Sequence, residues 1–298
     1  MGQLSIITVL LPAALAIIMV GLGLELTPKD FLRVSKHPKA ILVALFCQLV
    51  LLVGIAFTIC HVLKLPPLLA IGLMLLSATL GGPTANLYSH LFKGDVALNI
   101  SLTAINSVLA AFTLPLIANF AIAFFSENHQ VLGLQFSKII QVFLIIIVPV
   151  LIGMFIRHLS PNIAHKLEKP VKIFSVIFLI LIVSGAIFLE RQNLANYLEQ
   201  VGIASALFCF SSLAVGYFVP RLFKINSYQA RACAFEIGLH NSTLAMTIAL
   251  MVLMNTTIAM PAAVYSLFMY VFSFIFGLLI QRLEPLSHEH RLVQSEGG

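Results

Sequence analysis

Glu236 is the acidic residue whose position points most directly to a chemical role. It lies several residues inside an apolar segment long enough to cross a membrane, whereas the other acidic residues lie at segment ends or in loops. An ionised carboxylate in that position costs on the order of 2.5 kcal/mol or more unless a partner compensates it. The sequence therefore indicates a cation ligand or a proton carrier, and the alternative is a protonated side chain that only packs and forms hydrogen bonds.

Side chains with oxygen atoms cluster in the segments that we expect to meet this carboxylate. They are Asn86, Asn99, Thr103, Asn241 and Ser242. Asn99 and Thr103 are four residues apart, so they project from the same face of one helix. Carboxylate, amide and hydroxyl oxygens, together with carbonyls of unwound backbone, are the ligands that a hard cation requires. Divalent cations usually need several carboxylates, and because only one is available here, Na⁺ fits better.

Two further polar residues lie within apolar segments and leave several interpretations open. Gln48 can form a hydrogen bond between helices or contribute to the cation site. His240 can be a neutral spacer held by hydrogen bonds, a cation ligand or a proton switch. The four cysteines lie in or at the edge of apolar segments without CxxC spacing, so we predict buried apolar side chains and neither a disulfide nor a zinc site.

The elements that must position these residues are membrane-spanning helices. The chain has 298 residues, of which 60% are hydrophobic and 9% charged, and its mean hydropathy is +1.05. A soluble protein needs a largely polar exterior, which this composition cannot supply. Apolar segments of roughly 20 residues recur along the chain, and their backbone must satisfy its own hydrogen bonds in lipid. We predict an all-α polytopic membrane protein, and the net charge of +6 reflects basic loops that orient it rather than a nucleic-acid site.

The hydropathy pattern predicts about nine transmembrane helices in one domain, residues 1–283, followed by a disordered tail, residues 284–298. The predicted spans are 3–24, 40–62, 66–92, 96–125, 135–157, 171–190, 199–220, 228–253 and 260–282. Of the 17 basic residues, only Lys64, Lys138 and Arg191 fall in one of the two sets of loops. The positive-inside rule then places the N-terminus outside and the C-terminus in the cytoplasm.

Two of these spans are interrupted near their middle. The third contains Gly81-Gly82-Pro83, and the eighth contains Gly238 and, shortly after it, Asn241. Glycine and proline break a helix, and proline suits the first turn of a new one. The third and eighth spans run in opposite directions, as do spans one, two and four relative to six, seven and nine. This pattern predicts an inverted-repeat transporter fold in which the two broken helices cross near the membrane midplane.

The restarted helices also limit the kind of substrate. Their first turns present free N–H groups and a positive dipole end toward the midplane, and such ends bind carboxylates. No Lys or Arg lies deep in any predicted span, so a multiply charged anion would lack a strong counter-charge. A small organic monocarboxylate is therefore the predicted substrate.

Three segments resemble the bile acid:sodium symporter family, and the resemblance covers nearly the whole chain. They are GLGLELTPKDF at residues 21–31, GGPTANLYSHLFKGDVALNISLT at 81–103 and FEIGLHNSTLA at 235–245. The resemblance implies a panel of spans one, five and six and a core of spans two to four and seven to nine. It also implies two sodium sites where the broken helices cross. Because it is to bacterial members, the implied location is the cell inner membrane.

The resemblance assigns residues to both sodium sites and to the substrate. The first sodium site would use the side chains of Asn86, Asn99, Thr103 and Glu236, with Ala85 contributing its backbone. The second would use Gln48, Glu236, the carbonyls of Ile237 and Leu239, and His240. The substrate would contact Asn241 and the turn at Pro83 and Thr84. Family members usually carry Gln in place of His240 and small hydroxyl residues in place of Ala85 and Asn99.

The resulting hypothesis is Na⁺-coupled symport of a small organic anion, such as a bile-acid-like, pantothenate-like or 2-oxo acid. The alternative is a proton-coupled or uncoupled carrier that uses Glu236 and His240. An intramembrane enzyme is a remote alternative, since HExxH, GxSxG and paired aspartates on adjacent spans are absent from the sequence. We expect a lipid bilayer and a small anion as partners, with no organic cofactor, nucleic acid or protein partner.

Overall fold

The computed structural model describes residues 16–27, 30, 37–79, 81–126, 136–167, 169–171, 173–174, 177, 181 and 194–284. Most of the first predicted span, much of the sixth and the predicted tail from residue 285 onward lie outside this set. Within it, the regular elements are helices, together with one isolated β-bridge. The chain is therefore an all-α protein over the part that the structure describes.

Ten helices organise the described residues. They are α1 (Ala16–Glu25), α2 (Pro38–Val62), α3 (Pro67–Ala78), α4 (Pro83–Leu91), α5 (Val96–Phe125), α6 (Phe136–Leu159), α7 (Leu194–Leu222), α8 (Ser227–Gly238), α9 (Ser242–Met251) and α10 (Thr256–Leu283). A shorter helix covers residues 161–167. One π-helical turn, Cys47–Leu51, interrupts α2. Such turns in an α-helix are frequent at functional sites.

The helices have the length and surface of membrane spans. Among the described residues, α2, α5, the segment Tyr197–Leu222 of α7, and α10 are long and apolar enough to cross a bilayer. Their outer faces expose large apolar side chains, such as Leu42, Leu116, Ile203 and Leu283. Contiguous exposed apolar surface of this kind belongs against lipid. The chain is a multi-pass membrane protein.

Both predicted interruptions occur where glycine and proline indicated them. The third predicted span is divided into α3, which ends at Ala78, and α4, which begins at Pro83. Thr79 and Gly82 between them have extended backbones. The eighth predicted span is divided in the same way into α8 and α9. The Asn241 side chain caps α9 by accepting a hydrogen bond from the backbone N–H of Leu244 at 3.0 Å.

The two interruptions meet in space. Gly81 and His240 form an antiparallel bridge, so the unwound segments lie side by side. A Cβ atom at Gly81 would lie 2.6 Å from the backbone oxygen of Glu236, and this contact requires glycine at position 81. At Gly82, in contrast, an added Cβ atom would have no other atom within 4 Å.

Two series of elements have matching lengths and turns. The order α2, α3, break, α4, α5 is followed by the order α7, α8, break, α9, α10. α3 and α8 each contain 12 residues, and α4 and α9 contain 9 and 10. The four non-glycine residues with positive φ in the described chain occur at matching turns, Lys64 with Lys224 and Lys93 with Met254. The number of residues from Lys64 to Lys224 equals the number from Lys93 to Met254 to within one residue.

α8 and α9 form the interior of the bundle. Every residue from Ala230 to Gly238 and from Ser242 to Ala249 is buried. α8 packs against α2, α4, α5, α7 and α10, and α9 packs against α3 and α10. Residues in these two stretches are thus shielded from lipid.

A polar cluster closes the end of the bundle where α10 terminates. Glu284 accepts hydrogen bonds from the Tyr217 hydroxyl at 2.8 Å and from Arg221 at 3.2 Å, while Arg231 donates to its backbone carbonyl. The hydrogen bond from Tyr217 holds the pKa of the Glu284 carboxyl below its ordinary value. Glu284, the first residue of the predicted tail, therefore belongs to the folded part of the chain. Arg231, near the start of the predicted span 228–253, is buried in this cluster.

Candidate cation site at the helix crossing

The Glu236 carboxylate lies at the crossing and is fully buried. Its Oε2 atom accepts a hydrogen bond from the Thr103 hydroxyl at 2.7 Å, and its Oε1 atom accepts one from Asn106 Nδ2 at 2.9 Å. Both donors come from α5, which faces this side of α8. Neither donor is positively charged, so the hydrogen bonds stabilise the carboxylate without neutralising it.

Asn106 was missed by the sequence analysis. Its Nδ2 atom also donates to Gln48 Oε1 at 3.0 Å, so Asn106 connects the π-helical turn of α2 to Glu236. Asn99, Thr103 and Asn106 are spaced i, i+4 and i+7 and lie on one face of α5. Continuing the predicted Asn99–Thr103 face by one more position would have found Asn106.

Several buried amide oxygens on α4 and α5 have no hydrogen-bond donor. They are the Oδ1 atoms of Asn86, Asn99 and Asn106. In Asn99, both amide hydrogens are donated, to Ser89 Oγ at 2.8 Å and to the Ala232 carbonyl at 2.9 Å. These two hydrogen bonds fix the orientation of the amide group, and its oxygen then faces no donor. Buried polar atoms in native proteins nearly always have partners, so these oxygens are available to a water molecule or a cation.

The donor set fits a monovalent hard cation. It contains one carboxylate, several neutral amide oxygens and the Thr103 hydroxyl. Among the described residues, no three His, Cys, Asp or Glu side chains are close enough to share a metal ion. α8 ends at Gly238, so the carbonyls of its last turn lack donors within the helix. Of these, the Gly238 carbonyl accepts from the Tyr265 hydroxyl at 2.8 Å, while Ile237 and Leu239 flank it.

His240 occupies a different environment from the amide oxygens. Its Nδ1 atom donates to the Thr79 carbonyl at 2.7 Å and thereby joins the two interruptions. Its ring stacks on Phe208, with 5.2 Å between centroids, and meets the edge of Tyr265 at 5.4 Å. Its Nε2 atom is buried without a partner. The His240 side chain thus links the two interrupted segments through Nδ1, and its Nε2 atom remains available to a ligand.

The predicted substrate residues lie at the starts of α4 and α9. Pro83 begins α4, and Thr84 follows it in the first turn. Asn241 caps α9 through its Oδ1 atom, which leaves its amide nitrogen as the donor that an anion could use. A cavity of about 10 Å³ adjoins this position and is lined by Met19, Leu22, Gly81, Ser107, Ala110, Asn241 and Leu244. Such a space holds about one water molecule and is too small for an organic anion.

A multi-pass helical protein with two broken helices that cross at a buried carboxylate has the architecture of a secondary transporter. The sequence profile described as the Sodium Bile acid symporter family matches residues 12–197. The chain belongs to this family. It is a membrane transporter and not an enzyme.

Three relatives illustrate how widely the family extends. The uncharacterized sodium-dependent transporter YocS of Bacillus subtilis is 29% identical over 85% of this chain and 77% of its own length. The ileal sodium/bile acid cotransporter of Homo sapiens is 26% identical over 91% of this chain and 78% of its own length. The probable sodium/metabolite cotransporter BASS1 of Arabidopsis thaliana, a chloroplastic protein, is 30% identical over 85% of this chain and 62% of its own length.

The contact between His240 and Thr79 leads to a prediction about stability. Replacing His240 with Leu removes the donor to the buried Thr79 carbonyl, and an unsatisfied buried acceptor costs about 1–3 kcal/mol. His240→Gln retains an amide donor. We expect His240→Leu to lower the melting temperature in sodium-free detergent solution, and His240→Gln to lower it less and to retain sodium-dependent uptake. Equal melting temperatures for both variants and the wild type would show that this contact contributes nothing to stability.

Proposed function

We propose that this protein is a secondary active transporter that couples the entry of Na⁺ to the symport of a small organic monocarboxylate. The observation that carries the proposal is the buried Glu236 carboxylate at the helix crossing, among unpartnered amide oxygens. An ionised carboxylate there needs a cation, and a neutral oxygen shell favours a monovalent one. The names of the relatives, which include sodium-dependent and sodium/bile acid transporters, support sodium as that cation.

The membrane arrangement that accompanies this function has about nine spans. The matching series α2–α5 and α7–α10 support an inverted repeat. Corresponding helices are five positions apart in the order of the spans, as spans two and seven are, and an odd offset reverses the direction. In this arrangement spans one, five and six form a panel, and the remaining spans form a core around the crossing. The proposed transporter domain extends through Glu284, which is hydrogen-bonded to Tyr217 and Arg221, and the rest of the predicted tail lies outside the described residues. The N-terminus is outside, the C-terminus is in the cytoplasm, and the membrane is the bacterial inner membrane.

Cysteine labelling tests this topology. Lys64 and Lys224 occupy matching turns, both are exposed, and both have positive φ, so cysteines there should be equally reactive. We expect Lys64→Cys to react with a membrane-impermeant maleimide only from outside and Lys224→Cys only from the cytoplasm. The background should lack the native cysteines, all four of which are buried. Labelling of both turns from the same side would contradict the inverted repeat.

Two sodium ions are proposed at the crossing. The first ion contacts Asn86, Asn99, Thr103 and Glu236, a set supported by the free amide oxygens and by the hydrogen bond between Thr103 and Glu236. The second ion contacts Gln48, Glu236, the carbonyls of Ile237 and Leu239, and His240 through Nε2. The free Nε2 atom of His240 and the unfinished last turn of α8 support this second set.

The anion would bind where α4 and α9 begin, at Pro83, Thr84 and Asn241. The helix N-termini supply free N–H groups, and Asn241 supplies an amide donor. Binding beside the cations would couple the two, because each makes the other's site electrostatically favourable. Bile-acid-like, pantothenate-like and 2-oxo acids are the proposed substrate classes.

Uptake into proteoliposomes tests this function. A panel of radiolabelled monocarboxylates should be offered with an inward Na⁺ gradient, with an equal K⁺ gradient as the control, and with an inward proton gradient. We expect at least one carboxylate to accumulate only with the Na⁺ gradient. Accumulation driven by the proton gradient without sodium would instead support a proton-coupled carrier based on Glu236 and His240.

A further inference from the structure

Asn106 is a fully buried side chain on α5 to which the family resemblance assigns no role. Its amide nitrogen has two hydrogens, and both are donated, one to Glu236 Oε1 at 2.9 Å and one to Gln48 Oε1 at 3.0 Å. These two acceptors determine the orientation of the amide group. Turning it over would place its oxygen against two other oxygens, with no hydrogen between them.

The oxygen of Asn106 is consequently left without a donor. The Oδ1 atom is buried and accepts no hydrogen bond. An amide oxygen has two lone pairs, and leaving them unsatisfied inside a protein costs free energy. The side chain therefore presents an unused ligand atom immediately beside the carboxylate that the proposed function places at both sodium ions.

The neighbouring polar side chains, Gln48 and His240, have no side-chain oxygen that lacks a hydrogen-bond partner. The Gln48 oxygen already accepts from Asn106, and its unpartnered atom is the Nε2 donor, which would repel a cation. His240 uses Nδ1 to hold Thr79, and its ring lies against aromatic side chains. Asn106, which bonds to Gln48 of α2 and to Glu236 of α8, is thus the side chain of this group whose atom without a hydrogen-bond partner is an oxygen.

We propose that Asn106 Oδ1 is a ligand of the second sodium ion, the one that contacts Gln48 and Glu236. The same amide group then has two functions: its oxygen contacts the cation, and its NH₂ group orients the oxygens of Glu236 and Gln48. This inference rests on the proposed sodium coupling. It adds a ligand from α5 to a site that the resemblance builds from α2 and the end of α8.

Two substitutions at this position separate a cation ligand from a residue that only positions its neighbours. Asn106→Leu removes both the oxygen and the two donated hydrogen bonds. Asn106→Asp removes the same two hydrogen bonds but keeps an oxygen and adds a negative charge beside Glu236. Ser101→Ala is the matched control on α5, because the Ser101 hydroxyl bonds only to the Ala97 carbonyl of its own helix.

The measurement is the melting temperature of each purified protein during titration with NaCl, with choline chloride keeping the ionic strength constant. We expect the apparent sodium affinity of Asn106→Leu to fall by roughly 10–100-fold, while Ser101→Ala matches the wild type. Asn106→Asp should bind sodium at least as well as the wild type and should also be stabilised by Ca²⁺, because two carboxylates suit a divalent cation.

The outcomes distinguish this inference from the proposed function. If Asn106→Leu binds sodium like the wild type, or if Asn106→Asp loses sodium binding as severely as Asn106→Leu, Asn106 is not a ligand although sodium coupling stands. If Asn106→Leu does not fold, the response of Asn106→Asp to Na⁺ and Ca²⁺ decides between these outcomes. If the wild type itself shows no response specific to sodium, the proposed function and the inference are both wrong.

Discussion

Replacing Glu236 with Gln is expected to abolish sodium-driven uptake while leaving the protein folded. Gln has nearly the same shape and keeps one of the two oxygens, so it can accept from Asn106 while its NH₂ group donates to the Thr103 hydroxyl, and the packing of α5 against α8 should survive. What is lost is the negative charge. If the carboxylate contributes about 2.5–3.5 kcal/mol to cation binding, the apparent sodium affinity should fall by roughly 60- to 300-fold.

The measurement is carboxylate uptake into proteoliposomes as a function of external sodium concentration. Size-exclusion profile and melting temperature in sodium-free solution are the controls for folding. Because burial of an uncompensated charge is unfavourable, Glu236→Gln should be at least as stable as the wild type without sodium. Normal sodium-dependent uptake by Glu236→Gln would show that the Glu236 side chain only packs and forms hydrogen bonds.

Adding one methyl group at Gly81 is expected to disable transport nearly as completely. The new Cβ would lie 2.6 Å from both the backbone oxygen and a carboxylate oxygen of Glu236, and the backbone oxygen cannot move without shifting α8. The bridge between Gly81 and His240 would be strained by the same displacement. We expect Gly81→Ala to reduce uptake at least about 100-fold, because a displacement of about 1 Å in a binding site costs that much.

Gly82→Ala is the matched control for this prediction. Its Cβ would meet no atom within 4 Å, and its backbone has an extended conformation that alanine adopts without strain. It adds the same methyl group one residue further along the same break. Similar uptake by Gly81→Ala and Gly82→Ala would show that close contact at the crossing is not required.

The backbone of this protein was largely predictable from the sequence. Length and hydropathy predicted α5 with its observed ends, and glycine with proline predicted where the third span divides. These predictions succeed because a membrane leaves helices as the available structure for an apolar segment. The similarity between the two halves was less visible in the residues. It is carried by turn geometry, such as the positive φ of Lys64 and Lys224, which different residue types can adopt.

The site was predictable in part. Glu236 and Thr103 were identified from their positions in apolar spans, and they are in direct contact. Asn106 extends the Asn99–Thr103 face by one position, but polar residues inside a helix often satisfy themselves locally, so that face alone does not show that Asn106 reaches Glu236. The role of His240 also depends on tertiary contacts, since its bond to Thr79 joins residues far apart in the chain. Which oxygens lack partners is a property of the packed structure and cannot be read from composition.

Direct binding of radioactive sodium to the purified protein tests the central claim most closely. Equilibrium binding of ²²Na⁺ should be measured for the wild type and for Glu236→Gln, with unlabelled Na⁺ and K⁺ as competitors. We predict saturable binding to the wild type that unlabelled Na⁺ displaces and K⁺ does not, and loss of that binding in Glu236→Gln. Absence of saturable binding to the wild type, or equal binding to both proteins, would contradict a sodium site at the helix crossing.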